Sequence, residues 1–411
     1  MSSPAHRRIE EPPQSYGLYS SIGQLSIWAF FISGILMSFL GAILPAWGYH
    51  LRANFSEVGD YFLSLNLGFL LSVVASHFLL SRRSTKMKLV IANALACGGF
   101  LFLALFSPPM AVRWRFLGLL WIGASAGLLH SGMFQAVSPL YQQDRAATVN
   151  LAGVTFGLGC LITALLVWGT YYVYTVPSIL ILFALVPGFF AGFSAKAKLP
   201  PSPVGYSIPT SQVWRAFKTP GTMLFTLLLF FQCANEWSIA GWLALFLIRR
   251  LGISPEASLL LLALYWSVLL LGRIVSQLVI KRLSHTVLLL SSIGSALFGT
   301  VLLEWTDNLF GAVMGILFIG AGFASIYPLV MARIGHRFPD YHPGLYSGLF
   351  SFALAGGLLA PWTLGYFVES SGIQAVMILP MLGTCMVFVL LLLILLEAKL
   401  SGFEGVSGAE L

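Results

Sequence analysis

The sequence predicts an all-α polytopic membrane protein with twelve transmembrane helices in two pseudo-symmetric six-helix bundles. Three observations support this fold class: an apolar composition, recurring apolar windows of spanning length, and a weak internal repeat. Of the 411 residues, 58% are hydrophobic and only 9% are charged. A soluble core of this size cannot bury so much apolar surface, so we expect the lipid bilayer to cover the remainder.

Apolar windows of spanning length recur along the whole chain. A helix needs about 20 mostly apolar residues to cross a bilayer. The leader, residues 1–23, has no short apolar core followed by a cleavage site, so we interpret it as a solvated cytoplasmic tail. The predicted spans begin near Gln24, Tyr61, Met87, Arg113, Ala147, Val173, Gly221, Ser258, Thr286, Leu309, Leu345 and Ile373.

A polar segment and an internal repeat divide the spans into two halves. The longest polar interruption, residues 194–220, is rich in proline and serine. The predicted units are therefore a bundle at 24–195, a cytoplasmic loop at 196–219, a second bundle at 220–399 and a cytoplasmic tail at 400–411. The repeat pairs residues 76–83 with 276–283 and residues 122–127 with 319–324. This alignment makes His130 and Tyr327 equivalent positions.

The basic residues predict how the chain is oriented in the membrane. Lys and Arg are more frequent in the loops that follow even-numbered spans than in the other loops. By the positive-inside rule, both termini then face the cytoplasm. This orientation accounts for the net charge of +8 without a nucleic-acid partner. The predicted location is the bacterial inner (plasma) membrane.

The sequence offers no pattern typical of catalysis or metal binding. The cysteines lie within predicted spans, where thiols behave as small apolar groups. No Cys/His spacing resembles a metal site, and no Ser/His/Asp constellation falls at a workable spacing. We therefore expect no enzyme activity, disulfide, metal or cofactor.

Several blocks of the sequence resemble a known family of transporters. Two six-span halves with basic loops after the second and eighth spans resemble the major facilitator superfamily, although Ser81 stands where that family's loop signature has an aspartate. Six blocks are similar to the fucose/galactose/glucose:proton symporter branch: residues 149–151, 156–159, 234–242, 264–273, 322–328 and 355–361. The resemblance implies the major facilitator fold, a monomer, and transport of a sugar-like solute with a coupling ion.

The resemblance also indicates a departure in coupling. The fucose-permease type has acidic residues in its first and fourth spans, and this chain has Gly41 or Ala42 and His130 at those places. The coupling ion could therefore be a proton, carried by Glu236 or His130, or sodium instead. Uniport remains a third possibility.

The most informative polar residue is Glu236, in the middle of the seventh predicted span. Ionisable side chains are rare inside membranes and usually face a cavity. Gln232 lies one turn earlier on the same helical face, and Asn235 is adjacent. These side chains could bind the hydroxyl groups of a solute. The alternative for Glu236 is a structural ion pair with Arg273.

Two further groups of candidates complete the predicted site. His130 could bind solute, carry a proton or simply pack. Aromatic rings suit the C–H faces of sugars, which adds Phe134, Trp28, Trp266 and Tyr327 to the predicted binding residues. The predicted gating residues are basic and lie toward the inner ends of spans: Arg82, Arg83, Arg273 and Arg282.

We expect a secondary active or facilitative transporter of a small neutral polyhydroxylated solute, such as a monosaccharide, working by alternating access. The alternative is a proton-driven exporter of drugs or hydrophobic metabolites. Exporters of this superfamily commonly carry Gly-Pro in the fifth span. Thr163 and Ala164 occupy that place here, which counts against export.

Overall fold

The computed structural model describes residues 21–51, 54–79, 84–143, 145–197, 219–279, 283–337 and 343–400. The regular elements in these ranges are twelve α-helices, which confirms the predicted fold class. They are α1 (Ser21–Ile43), α2 (Phe55–Leu79), α3 (Thr85–Phe106), α4 (Val112–Gln143), α5 (Arg145–Thr170), α6 (Val176–Lys196), α7 (Pro220–Leu251), α8 (Pro255–Val279), α9 (His285–Trp305), α10 (Leu309–Arg337), α11 (Pro343–Ser371) and α12 (Ala375–Leu400).

The helices are built to lie in a bilayer. Within the described ranges, eleven of them contain stretches long and apolar enough to cross a membrane, and α1 contributes the shorter apolar stretch Ile27–Ile43. Large apolar side chains point outward from the bundle, among them Leu105, 74% exposed, and Phe189, 69% exposed. Exposed apolar surface on this scale requires lipid. The prediction of a multi-pass membrane protein is confirmed.

Helix starts repeat between the two halves. Ser84 precedes α3, and its Oγ accepts a hydrogen bond from the amide of Met87 at 3.3 Å. Ser284 precedes α9 and accepts from Val287 in the same way, also at 3.3 Å. A serine at this position satisfies an amide that has no partner inside the helix. The same local signal therefore begins the third helix of each half.

Helix pairing also repeats. The neighbours are α1 with α4, α5 and α6, α2 with α4, and α3 with α4 and α6; in the second half they are α7 with α10, α11 and α12, α8 with α10, and α9 with α10 and α12. A Cβ on Gly99 would lie 2.9 Å from Cγ1 of Ile122, and a Cβ on Gly299 would lie 2.8 Å from Cγ1 of Ile319. Equivalent glycines thus allow equivalent close helix contacts, as the predicted repeat requires.

The two halves meet through three principal helix pairs. These are α1 with α7, α2 with α11, and α5 with α8. We call the end of the molecule that carries the α1–α2 connection the first-loop end, and the end that carries the α2–α3 connection the second-loop end. Neighbouring helices run in alternate directions, so the starts of α2, α4 and α8 share the first-loop end.

A buried polar cluster fixes the start of α2 at the first-loop end. The hydroxyls of Tyr49 and Tyr61 donate to Oε1 of Glu57, the latter at 2.8 Å. Arg115, 6% exposed on α4, donates from Nε to the Tyr61 hydroxyl at 2.6 Å. Burial, together with the hydrogen bond to Glu57, raises the pKa of Tyr49 to about 12. Sequence patterns did not reveal this cluster, because its members come from three separate segments.

Candidate functional site

The site is centred on an ion pair between α7 and α8. Oε1 of Glu236 accepts a hydrogen bond from Nη2 of Arg273 at 3.0 Å. The two side chains are only 10% and 13% exposed, respectively. Glu236 lies midway along α7, so the carboxylate is far from either helix end. The ion pair that the sequence left as an alternative for Glu236 is therefore present. Arg273, predicted among the gating residues, belongs to the same site.

Arg273 also reaches the first half of the molecule. Its Nη1 donates to the backbone oxygen of Gly153 on α5 at 3.4 Å. One guanidinium thus connects the carboxylate of α7 with the backbone of α5. A Cβ at position 153 would lie 3.5 Å from Nη1. This is an ordinary van der Waals distance, so the contact with the guanidinium does not by itself require a glycine.

Gln232 lies one helical turn before Glu236 and is 1% exposed. Neither its Oε1 nor its Nε2 has a hydrogen-bond partner in the part of the chain that the structure describes. Leaving a buried polar group unsatisfied costs about 1–3 kcal/mol. A buried amide without a partner offers both a donor and an acceptor to a ligand.

Aromatic side chains cluster where α7 meets α8 and α5. The hydroxyl of Tyr265 on α8 donates to the backbone oxygen of Glu236 at 3.2 Å. The rings of Trp237 and Trp266 lie 6.1 Å apart, and the ring of Phe156 on α5 lies 5.9 Å from Trp237. Trp266 was a predicted binding residue, and the structure packs it against Trp237 and Tyr265. Trp237 and Phe156 were not predicted, although both fall in the blocks that resemble the symporter branch.

The structure directs Asn235 away from the ion pair. Successive residues on a helix differ by about 100° in direction. The Nδ2 atom of Asn235 donates to Oγ1 of Thr384 on α12 at 3.3 Å. Gly383, beside Thr384, lies so close that a Cβ there would overlap the Asn235 amide. Asn235 therefore joins two helices of the second half, and its role in binding solute stays a prediction.

Trp28 is also placed elsewhere. It lies in the first turns of α1, is 39% exposed, and its ring lies 4.7 Å from that of Phe190 on α6. The helix α1 approaches α7 through a different face, where a Cβ on Gly41 would lie 2.5 Å from the backbone oxygen of Ala240. Trp28 is therefore on the flank of the first half. The structure does not bring it to Glu236.

Two other predicted residues lie in the interiors of the separate halves. The ring of His130 on α4 is 5.4 Å from the ring of Phe69 on α2, in an edge-to-face arrangement. Tyr327 on α10 packs against the apolar core. Both positions lie on the fourth helix of their half, as the repeat predicted. His130 faces a helix of its own half, and its roles in binding and coupling stay predictions.

Four predicted residues lie outside what the structure describes. Arg82, Arg83 and Arg282 fall in the undescribed gaps, and the side chain of Phe134 is likewise not described. Two described basic residues of the second-loop end make their contacts within the second half. Arg333 donates from Nη1 to Oγ1 of Thr286 at 3.1 Å, and Arg337 donates from Nη2 to Oε1 of Glu397 at 3.0 Å.

A helical fold of two repeated halves, with a charged pair buried between membrane spans, is the architecture of a membrane carrier. The chain matches the family model of the Major Facilitator Superfamily over residues 29–357 and 225–409. The chain belongs to this superfamily, whose members are transporters rather than enzymes. It is 23% identical to an uncharacterized MFS-type transporter of Yersinia pestis, over 91% of this chain and 94% of that protein.

Solved structures share the same fold at low sequence identity. A D-xylose-proton symporter matches with a TM-score of 0.71 at 12% identity, over 89% of this chain and 96% of that one. The nucleoside transporter NupG matches at 0.68 and 13% identity, over 92% and 98%. The transporter FucP in the outward conformation matches at 0.61 and 15% identity, over 90% and 98%. The resemblance to the fucose-permease type is thus supported at the level of the fold.

Proposed function

We propose that this transporter carries a small neutral polyhydroxylated solute, such as a monosaccharide, by alternating access. The observation that carries the proposal is the buried amide of Gln232 beside Glu236, which has no hydrogen-bond partner among the described residues. A solute hydroxyl can donate to one atom of the amide and accept from the other. Because Arg273 already balances the charge of Glu236, the site favours a solute without net charge.

The aromatic rings support the same class of solute. Trp237, which follows Glu236 on α7, packs against Trp266 and Phe156 in an aromatic cluster. Solutes with apolar C–H faces and polar edges suit such a mixture. The solved relatives named as carriers of D-xylose and of nucleosides handle solutes with several hydroxyl groups. Those substrates are properties of the relatives, and here they support only the chemical class.

We further propose that Glu236 couples transport to protons. A protonated Glu236 no longer neutralises the charge of Arg273. The ion pair that joins α7 to α8 is then lost. Because the same guanidinium contacts Gly153, this change reaches the opposite half. Sodium coupling and uniport remain the competing outcomes of the test. His130 is the second candidate for carrying the proton.

The remaining parts of the proposal concern the setting of the molecule. The excess of Lys and Arg in the loops of the second-loop end supports a cytoplasmic location for that end and for both termini. We propose a monomer in a bacterial inner membrane. Its bundles are proposed at residues 24–195 and 220–399, joined by the loop at 196–219.

Uptake by purified protein in liposomes tests the function. Labelled D-xylose, D-glucose and uridine would be offered under a proton gradient, a sodium gradient and no gradient. We expect uptake of at least one of these solutes, and we expect the proton gradient to accelerate it. Glu236→Gln should abolish uptake or make its rate independent of the proton gradient. Gln232→Leu should lower the affinity. The matched control Gln374→Leu, at an exposed position between α11 and α12, should leave uptake unchanged.

Three results would overturn parts of this proposal. Extrusion of a hydrophobic cation such as ethidium, with no uptake of hydroxylated solutes, would favour the exporter alternative. Uptake that Glu236→Gln does not change at any pH would remove this residue from coupling. A sodium gradient that accelerates uptake when the proton gradient does not would exclude a proton as the coupling ion.

A further inference from the structure

The ring of Trp237 on α7 contacts helices of both halves. Its centroid lies 5.9 Å from that of Phe156 on α5, in the first half, and 6.1 Å from that of Trp266 on α8, in the second. The ring also meets α11, where a Cβ on Gly357 would lie 2.4 Å from Cδ1 of Trp237. A ring that reaches both halves lies between them, where a carrier built from two repeated halves holds its solute. Trp237 therefore borders the proposed solute site.

Trp237 is the more accessible of the two neighbouring tryptophans. Its side chain is partly exposed, whereas Trp266 is 1% exposed. A partly exposed indole can present a flat apolar face to the C–H groups of a solute. A fully buried indole supports its neighbour from behind. The position of the Trp237 ring therefore sets one wall of the space that a solute can occupy.

Gly357 leaves the space that this ring fills. A Cβ at position 357 would lie 2.4 Å from Cδ1, 3.1 Å from Cγ and 3.2 Å from Nε1 of Trp237, so it would collide with the edge of the five-membered ring. The glycine lies inside α11 and its φ is not positive, so no turn requires a glycine here. What a side chain at position 357 would change is the packing of the indole.

The backbone of α11 is held close to α7 beside this contact. At the preceding position, a Cβ on Gly356 would lie 2.1 Å from the backbone oxygen of Phe230 on α7. The two helix backbones are thus in direct contact, as small residues allow. Moving α11 outward would break that contact. A methyl group added at position 357 therefore displaces the ring of Trp237, away from α11 and toward α5 and α8.

We propose that Gly357 is a positioning residue that sets, through Trp237, the size of the solute that the carrier accepts. With a glycine at this position the indole lies back against α11, and the space beside it admits a single sugar-sized ring. A side chain at position 357 moves the indole forward and narrows that space. The inference rests on the proposed function and deepens it, because it names a residue that selects among hydroxylated solutes by size.

Competition between solutes of different size tests the inference. The labelled solute is whichever of D-xylose, D-glucose and uridine the native protein carries, and the others are added unlabelled as competitors. D-Glucose has one hydroxymethyl group more than D-xylose, and uridine has two rings. Gly357→Ala should weaken binding of D-glucose relative to D-xylose by about tenfold, since a methylene-sized difference in fit has an effect of this order. Uridine should be affected more.

Two further variants complete the comparison. The matched control Gly294→Ala, on α9 of the same half, adds a Cβ that would meet nothing within 4 Å and should leave the relative affinities native. Phenylalanine lacks the five-membered ring that position 357 faces, so the double variant Gly357→Ala with Trp237→Phe should return the relative affinities toward the native values. Equal weakening of all solutes in Gly357→Ala, or no recovery in the double variant, would overturn the inference.

Thermal unfolding in detergent separates this inference from the proposed function, because it needs no solute. Gly357→Ala should lower the Tm of the native protein, and it should lower the Tm of Trp237→Phe much less. Additive losses would mean that the two residues do not interact, and would overturn the positioning of Trp237 by Gly357. Non-additive losses without uptake of any hydroxylated solute by the native protein would overturn the proposed function and its size selection, while supporting the positioning of Trp237.

Discussion

Nη2 of Arg273 lies 3.0 Å from Oε1 of Glu236, and both side chains are nearly buried between α7 and α8. Removing one partner of a buried pair leaves an uncompensated charge, which typically costs about 3–5 kcal/mol. Removing both partners leaves no uncompensated charge. The ion pair can therefore be tested through the free energy of unfolding, separately from its role in transport.

We predict that Arg273→Met destabilises the protein by about 3–5 kcal/mol and that the double variant Glu236→Gln with Arg273→Met recovers most of this loss. Thermal unfolding in detergent measures both effects. The exposed pair Arg250 and Asp307 is the matched control, since the Asp307 side chain is 78% exposed. Arg250→Met should cost about 1 kcal/mol or less. A double variant as unstable as Arg273→Met would contradict the interpretation.

Gln232 and Asn235 should separate function from stability. Gln232→Leu removes an unpartnered buried amide, so we predict weaker solute affinity with an unchanged or higher Tm. Asn235→Leu removes the hydrogen bond to Thr384, so we predict a loss of about 1 kcal/mol in stability. Its KM should change less than that of Gln232→Leu. A KM that rises only in Asn235→Leu would reverse the assignment.

Sequence reasoning found the helices because each relied on a local signal. Apolar length predicts a span, whereas the serine caps at Ser84 and Ser284 were found only in the structure. Glu236 stood out because a carboxylate within an apolar stretch is rare. Its partner Arg273 was named both as an alternative ion-pair partner and among the gating residues, since the sequence alone does not show that its side chain points along α8 toward the middle of α7.

The misplaced residues share a physical cause. Asn235 is adjacent to Glu236 in sequence, but one helical step turns it toward α12. Trp28 was selected for its ring alone, and the packing of α1 against α6 decides its direction. The hydrogen bond from the Phe55 amide to Glu369 joins residues more than 300 positions apart. Such directions depend on helix rotation and packing, and one sequence carries no local signal for them.

Tyr49 predicts a loss of stability at high pH. Burial and the hydrogen bond to Glu57 raise the pKa of Tyr49 from 10.0 to about 12. Between these two values the unfolded chain has released the phenolic proton and the native protein retains it, so native stability falls as the pH rises. Below pH 10 this contribution is fully present. Unfolding measured from pH 9 to pH 12 should show the fall.

The variant Tyr49→Phe tests this assignment. It should be less stable than the native protein at pH 8, since a hydrogen bond to Glu57 is lost. It should also lose less stability between pH 10 and pH 12. Tyr172, which is 71% exposed, supplies the control, and Tyr172→Phe should retain the native pH profile. An identical profile in Tyr49→Phe would assign the fall to other groups.

The last prediction compares two tryptophans. Trp237 is near the candidate site, and Trp28 lies on the flank of the first half. Trp237 lies beside Glu236 and contacts Trp266 and Phe156. We predict that Trp237→Ala raises KM for a ring-shaped solute by about tenfold, because one well-packed aromatic contact contributes on the order of 1 kcal/mol beyond the area that it buries. Trp237→Phe should restore much of the affinity.

Trp28→Ala removes a ring of similar size from the flank of α1 and α6, and KM should remain native. Uptake of labelled solute over a range of concentrations measures each KM. Equal effects of Trp237→Ala and Trp28→Ala would mean that the rings act through stability alone, since only one of them lies beside the buried ion pair.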